Sequence, residues 1–101
     1  MYSLFITKYE ISKIFVRREI AMSNEMQINH KDKYIRIGLN IALQRKLHKM
    51  TQIQLAEAVN ISRTHMSNIE APNMVTPVSL EVIFDIADAM GIQPEVLFKM
   101  D

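Results

Sequence analysis

Two short amphipathic segments, residues 51–59 and 62–71, constrain the fold of this chain more than any other feature. Each begins with a hydroxyl residue, Thr51 or Ser62, whose side chain can accept a hydrogen bond from an unpaired N–H at a helix start. Gln54 lies three residues after Thr51, which is the spacing of a capping box. The pattern predicts two short helices.

The junction between these segments predicts a tight turn. Ala56 is small, as required where two helices cross closely, and Asn60 tolerates a positive φ better than most residues other than glycine. The positions that would fix the angle between the helices are all apolar: Leu55, Val59, Ile61, Met66 and Ile69. We therefore expect two helices held at a fixed angle across a short turn.

Three further helices are expected around this pair. The first runs from about residue 34 to 48, the fourth begins near Ser79 and ends at Gly91, and a short fifth begins at Pro94. The apolar residues of the fourth helix recur at helical spacing: Leu80, Ile83, Phe84, Ala87 and Met90. The sequence thus predicts an all-α domain over residues 34–101, preceded by an arm over residues 1–33 with possible β content.

The first helix carries two stripes on opposite sides. One stripe comprises Ile37, Ile41, Arg45 and His48. The other comprises Leu39, Leu43 and Leu47. Because the two are displaced by about 200° around the helix, we expect one to face the core and the leucines to face outward, where they need a second cover.

Composition excludes several classes of protein. The chain has 101 residues, a net charge of +1 and no cysteine, so disulfides, thiolate zinc sites and a cysteine nucleophile are absent. It also lacks an apolar run of the roughly 20 residues needed to cross a membrane, or of the 7–15 in a signal sequence. We expect a cytoplasmic protein.

Polar residues show no catalytic or metal-binding pattern. His30, His48 and His65 lack metal-ligand spacing. The carboxylates of the fourth helix, at 81, 85 and 88, fit a solvated acidic face better than a catalytic pair. We expect no cofactor, no metal and no enzymatic activity.

Residues 50–70, which read MTQIQLAEAVNISRTHMSNIE, together with Arg45, resemble the phage-repressor/Cro-like (XRE-type) helix-turn-helix family. Residues 80–98 look like the fourth and fifth helices of that family, so the resemblance spans residues 34–98. It implies a five-helix DNA-binding domain, usually of a bacterial or phage transcription regulator that binds palindromes as a dimer. Lys49 and Asn60 stand where the family often has glycine, so both should adopt a left-handed conformation at a cost of about 1 kcal/mol.

By this resemblance the 62–71 helix is the recognition helix, whose exposed side chains reach base edges in the major groove. Arg63 suits a guanine and Asn68 an adenine, while Thr64 fits the methyl group of a thymine. Gln52 is expected to meet a phosphate or a base at the start of the preceding helix. The expected DNA-binding residues are Thr51, Gln52, Ser62, Arg63, Thr64, His65, Ser67 and Asn68.

The resemblance gives Arg45 and Glu70 a structural role. They are expected to form an ion pair that joins the first helix to the end of the recognition helix. Such a pair would orient the recognition helix without contacting bases.

Three functional hypotheses follow. The first is a sequence-specific regulator of double-stranded DNA, most simply a repressor that occupies a palindromic operator as a homodimer. The second is an antitoxin or similar protein whose main partner is another protein, with DNA binding for autoregulation. The third is a protein-interaction module alone, which the near-neutral charge favours.

The arm supplies the remaining apolar residues. Residues 1–22 are rich in β-branched and aromatic side chains, and we expect them to cover Leu39, Leu43 and Leu47, in cis or from a dimer mate. The alternative is that translation starts at Met22 or Met26.

Overall fold

A computed structural model describes residues 28–101 of the chain. Four α-helices and a terminal 3₁₀ helix follow one another: α1 (Lys31–Leu47), α2 (Gln52–Ala58), α3 (Arg63–Glu70), α4 (Leu80–Met90) and the 3₁₀ helix (Pro94–Phe98). Residues 28–101 contain no strand, and the predicted all-α domain is confirmed.

The helix ends follow local sequence signals. Thr51, Ser62 and Ser79 each precede a helix, and each side chain accepts a hydrogen bond from a backbone N–H in the first turn. Gly91 ends α4 in a left-handed conformation with φ of 66°. These four ends agree with the sequence-based expectation.

Two boundaries differ from expectation. α1 begins at Lys31 rather than near Tyr34, so residues 31–33, which the sequence grouped with the arm, form its first turn. The expected fifth α-helix is a 3₁₀ helix that begins at Pro94. A segment of five residues is too short to favour an α-helix. The conformational entropy lost in forming the first α-helical turn exceeds the free energy gained from its hydrogen bond.

One apolar core joins all five elements. α3 packs against α1 and α2, while α4 closes the other side with the 3₁₀ helix. The core comprises Ile37, Ile41, Leu55, Ala56, Val59, Met66, Ile69, Ile83, Ile86, Ala87, Met90 and Leu97. Asn40 adds a polar tie, since its Nδ2 donates to the carbonyl oxygens of Leu97 at 3.0 Å and Lys99 at 2.8 Å.

α1 and α3 approach each other closely at Gly38, which is buried. A Cβ atom on Gly38 would collide with the carbonyl oxygen of Ile69. The absence of a side chain at this position therefore lets α1 lie directly against the backbone of α3.

The two stripes of α1 behave differently from each other. Ile37, Ile41 and Arg45 are buried, but His48, the fourth residue of that stripe, is exposed beyond the end of the helix. The leucines point outward as expected: Leu39, Leu43 and Leu47 are 39%, 55% and 64% exposed. The proposed cover, residues 1–22, lies outside the described residues.

Helical spacing in α4 does not by itself identify the residues that are buried. Leu80 and Phe84 share the helical spacing of the buried residues, yet they are 58% and 45% exposed. They lie on the flank of α4, because Ile83, Ile86, Ala87 and Met90 already occupy the face toward the core. Leu80 lines a shallow apolar groove with Tyr34, Val78, Phe98 and Met100. In residues 28–101, none of the helices combines the length and apolarity that crossing a bilayer requires.

Candidate nucleic-acid interface

The turn between α2 and α3 sets the relation of the two helices. Asn60 has a φ of 57°, as its position in the sequence predicted. The backbone N–H of Ile61 then donates to the carbonyl oxygen of Ala56 at 3.0 Å, which brings the chain back across the end of α2. Ala56 is itself 2% exposed and belongs to the core.

α3 has one apolar and one polar side. Met66 and Ile69 face the core, whereas Arg63, Thr64 and Ser67 are exposed and His65 and Asn68 are half-buried. Of the five predicted recognition residues, Arg63, Thr64 and Ser67 therefore form the exposed side of α3, and His65 and Asn68 are less accessible. Ser62, also among the predicted DNA-binding residues, caps the helix, because its Oγ accepts a hydrogen bond from the N–H of His65 at 3.0 Å.

The start of α2 lies beside this polar side. Thr51 and Gln54 form a reciprocal capping box: Thr51 Oγ1 accepts from the N–H of Gln54 at 3.0 Å, and Gln54 Oε1 accepts from the N–H of Thr51 at 2.8 Å. A small concave surface here is lined by Arg45, Met50, Thr51, Gln52, Ile53 and Arg63. It combines a helix start with a guanidinium group and an amide, which are suitable donors for an anion.

Arg45 and Glu70 form a buried ion pair between α1 and α3. Arg45 Nε donates to Glu70 Oε2 at 2.8 Å and Nη2 donates to Oε1 at 2.9 Å. The two residues are 8% and 6% exposed, so each charge relies on the other in the interior. Arg45 Nη1 also donates to the carbonyl oxygen of Met50 at 2.7 Å, just after Lys49, which has the expected positive φ of 55°.

Two contacts were not expected from the sequence. Gln52 Nε2 donates to Glu70 Oε1 at 3.0 Å, so a residue expected only to face DNA also contacts the buried ion pair. Thr76 Oγ1 donates to the carbonyl oxygen of Asn68 at 3.1 Å and ties the following loop to the end of α3. No sequence signal points to either contact, because both depend on how α2, α3 and the loop meet in space.

The arrangement presents hydrogen-bond donors and acceptors on one side of the domain. The exposed acidic residues of α4 (81, 85 and 88) belong to a different element, and α4 packs on α1, α2 and the 3₁₀ helix. Across residues 28–101, no His, Asp and Glu side chains come together in a group that could hold a metal ion. The polar side of α3 and the start of α2 are suited to recognising a polar, anionic surface.

Comparison with known proteins agrees with this geometry. A family model described as helix-turn-helix matches residues 41–97, which is more than half of the chain. The chain belongs to the helix-turn-helix family. The resemblance to phage-repressor/Cro-like proteins that the motif indicated is thereby confirmed.

Two relatives illustrate the family. The immunity repressor protein of Bacillus phage phi105 is 42% identical over 57 residues, which is 56% of this chain and 38% of the repressor. The crystal structure of the restriction-modification controller protein C.AhdI from Aeromonas hydrophila superposes with a TM-score of 0.59 at 26% identity. That superposition covers 64% of this chain and 96% of the controller protein. The helix-turn-helix region is therefore shared with both relatives. The match spans only 38% of the length of the phage repressor.

Proposed function

We propose that this chain is a sequence-specific regulator of transcription that binds double-stranded DNA through α3 and the start of α2. The observation that carries the proposal is the polar side of α3, where Arg63, Thr64 and Ser67 are exposed. Arginine can donate two hydrogen bonds to guanine, and a threonine methyl group can contact thymine. A helix of this kind in the major groove reads base edges.

The start of α2 supports the same proposal. Gln52 and Arg63 line one concave surface, so a phosphate bound there would fix how α3 enters the groove. Thr51 caps α2 by accepting a hydrogen bond from the N–H of Gln54, and its hydroxyl proton can still donate to a phosphate. The other recognition residues, His65 and Asn68, lie farther along the polar side of α3.

We further propose that the protein acts as a repressor and binds a palindromic operator as a homodimer. The names of the two relatives, an immunity repressor and a controller protein, support regulation in general. Two recognition helices would then lie about 34 Å apart, one turn of B-DNA. Neither catalysis nor a cofactor is needed for this action.

The decisive experiment is selection of bound duplexes from a random pool, followed by titration of the selected duplex at several salt concentrations. We expect one enriched sequence with two related half-sites, and an affinity that falls as salt rises. A log–log salt slope near zero, or no enrichment, would refute DNA binding. Sedimentation of the protein with a one-site duplex would show whether two chains bind.

A second candidate function is binding to a partner protein, as an antitoxin or similar module. The observation that favours it is the outward row of Leu39, Leu43 and Leu47, which residues 28–101 leave 39–64% exposed. This candidate would stand alone if the duplex titration gave no salt dependence.

A further inference from the structure

Glu70 has more donors around its carboxylate than an ion pair alone requires. Its Oε2 accepts from Arg45 Nε at 2.8 Å, while its Oε1 accepts both from Arg45 Nη2 at 2.9 Å and from Gln52 Nε2 at 3.0 Å. Arg45 alone occupies both carboxylate oxygens. Because a carboxylate oxygen can accept two hydrogen bonds, Oε1 accepts the third bond, from Gln52, beside the bond from Arg45.

The chemistry of this contact permits one orientation of the Gln52 amide. An ionised carboxylate only accepts hydrogen bonds, whereas an amide has a donating NH₂ end and an accepting oxygen. Turning the amide by 180° would place two acceptor oxygens against each other. Glu70 therefore keeps the Nε2 atom of Gln52 inward. The second N–H of that nitrogen and the Oε1 atom of Gln52 are left available to a ligand.

We propose that Glu70 is a positioning residue for DNA binding, which holds the Gln52 amide in its binding orientation before DNA arrives. This inference rests on the proposed function. Glu70 is 6% exposed, so it acts through Gln52 and does not itself touch DNA. A side chain that is already ordered loses less conformational entropy on binding, so its contact contributes more to affinity.

The location of the bond extends this role to the motif as a whole. Gln52 is the first residue of α2 and Glu70 is the last residue of α3. Arg45 also holds the carbonyl oxygen of Met50, two residues before α2 begins. The three side chains therefore fix the start of α2, where Gln52 lies, relative to the end of α3.

A double-mutant cycle tests the proposal on the full chain with the duplex selected above. The proteins are wild type, Gln52→Ala, Glu70→Gln and the double variant, compared at a temperature at which circular dichroism shows all four folded. We expect Gln52→Ala to weaken binding about tenfold, and Glu70→Gln about fivefold in the wild-type background. In the Gln52→Ala background, Glu70→Gln should change affinity by less than about twofold.

The contrary outcome is clear. If Glu70→Gln weakens binding equally in both backgrounds, Glu70 acts only through the fold and the positioning role is wrong. If the wild type binds no duplex, the proposed function fails, and this role of Glu70 fails with it.

A second measurement does not depend on the folding of any Glu70 variant. In the ¹⁵N-labelled free protein, the side-chain NH₂ signals of Gln52 are assigned by their loss in Gln52→Ala. We expect one of the two protons to exchange with solvent more slowly than those of exposed glutamines, because it is bonded to Glu70. Exchange as fast as that of an exposed glutamine would overturn the proposal.

Discussion

Replacing Gly38 with alanine tests the close approach of α1 to α3. The new Cβ would collide with the carbonyl oxygen of Ile69 and lie 3.1 Å from its carbonyl carbon and 3.5 Å from the Cα of Glu70. All three atoms belong to the backbone, so no side chain can rotate away to relieve the contact. The two helices must therefore move apart.

Two effects of opposite sign determine the magnitude. Alanine is the better helix former, by about 1 kcal/mol in a helix interior. Overpacking a well-packed contact costs about 1–3 kcal/mol, and we take about 3 kcal/mol because the obstacle is backbone. The net loss in the free energy of unfolding is then about 2 kcal/mol, which corresponds to a fall in Tm of roughly 8–16 °C.

Urea and thermal unfolding followed by circular dichroism measure this loss. Gly91→Ala is the matched control, because Gly91 has a φ of 66° but no atom within 4 Å of an added Cβ. The control should lose only about 1 kcal/mol through left-handed strain. A Gly38→Ala protein as stable as wild type, or more stable, would refute the close approach of α1 to α3.

Three further expectations concern recognition, strain and the arm. Arg63→Ala should weaken specific binding by about 1–3 kcal/mol and relax the preference at one base position in a repeated selection. The control Lys99→Ala should do neither. An equal loss of affinity on random DNA would show that Arg63 contacts the DNA backbone and not a base. Lys49→Gly should raise the free energy of unfolding, measured by urea denaturation, by up to about 1 kcal/mol, because Lys49 has a φ of 55°. The control Lys49→Ala retains the left-handed strain and should not raise it. Removing residues 1–21 should lower the Tm or the oligomeric state measured by sedimentation, if they cover Leu43 and its neighbours; unchanged values of both would refute that cover.

Sequence reasoning succeeded where the cause of the structure is local. Thr51 with Gln54, and Ser79, cap helices because a hydroxyl oxygen reaches an N–H three residues ahead. Asn60 and Gly91 adopt positive φ where the chain has to turn. Such signals involve residues that are close together in the sequence, so they can be recognised before the fold is known.

Reasoning from spacing was weaker where several elements meet. Leu80 and Phe84 have the right helical period, but the period does not tell which side of α4 the other helices cover. The close contact at Gly38 depends on the path of α3, some 30 residues later in the chain. The bond between Gln52 and Glu70 likewise depends on the angle between α2 and α3. No local pattern encodes those distances.

The buried ion pair also bears on how such domains diverge. Arg45 and Glu70 lie 25 positions apart, and losing either partner leaves an uncompensated buried charge at a cost of about 3–5 kcal/mol. Viable change at one position therefore requires change at the other, and the two should covary among related sequences. An apolar pair would preserve the helices, since buried ion pairs are often replaceable by hydrophobic residues of similar volume. It would also leave the amide at position 52 without its acceptor, so descendants with that pair would have to evolve another way to hold the side chain at the start of α2.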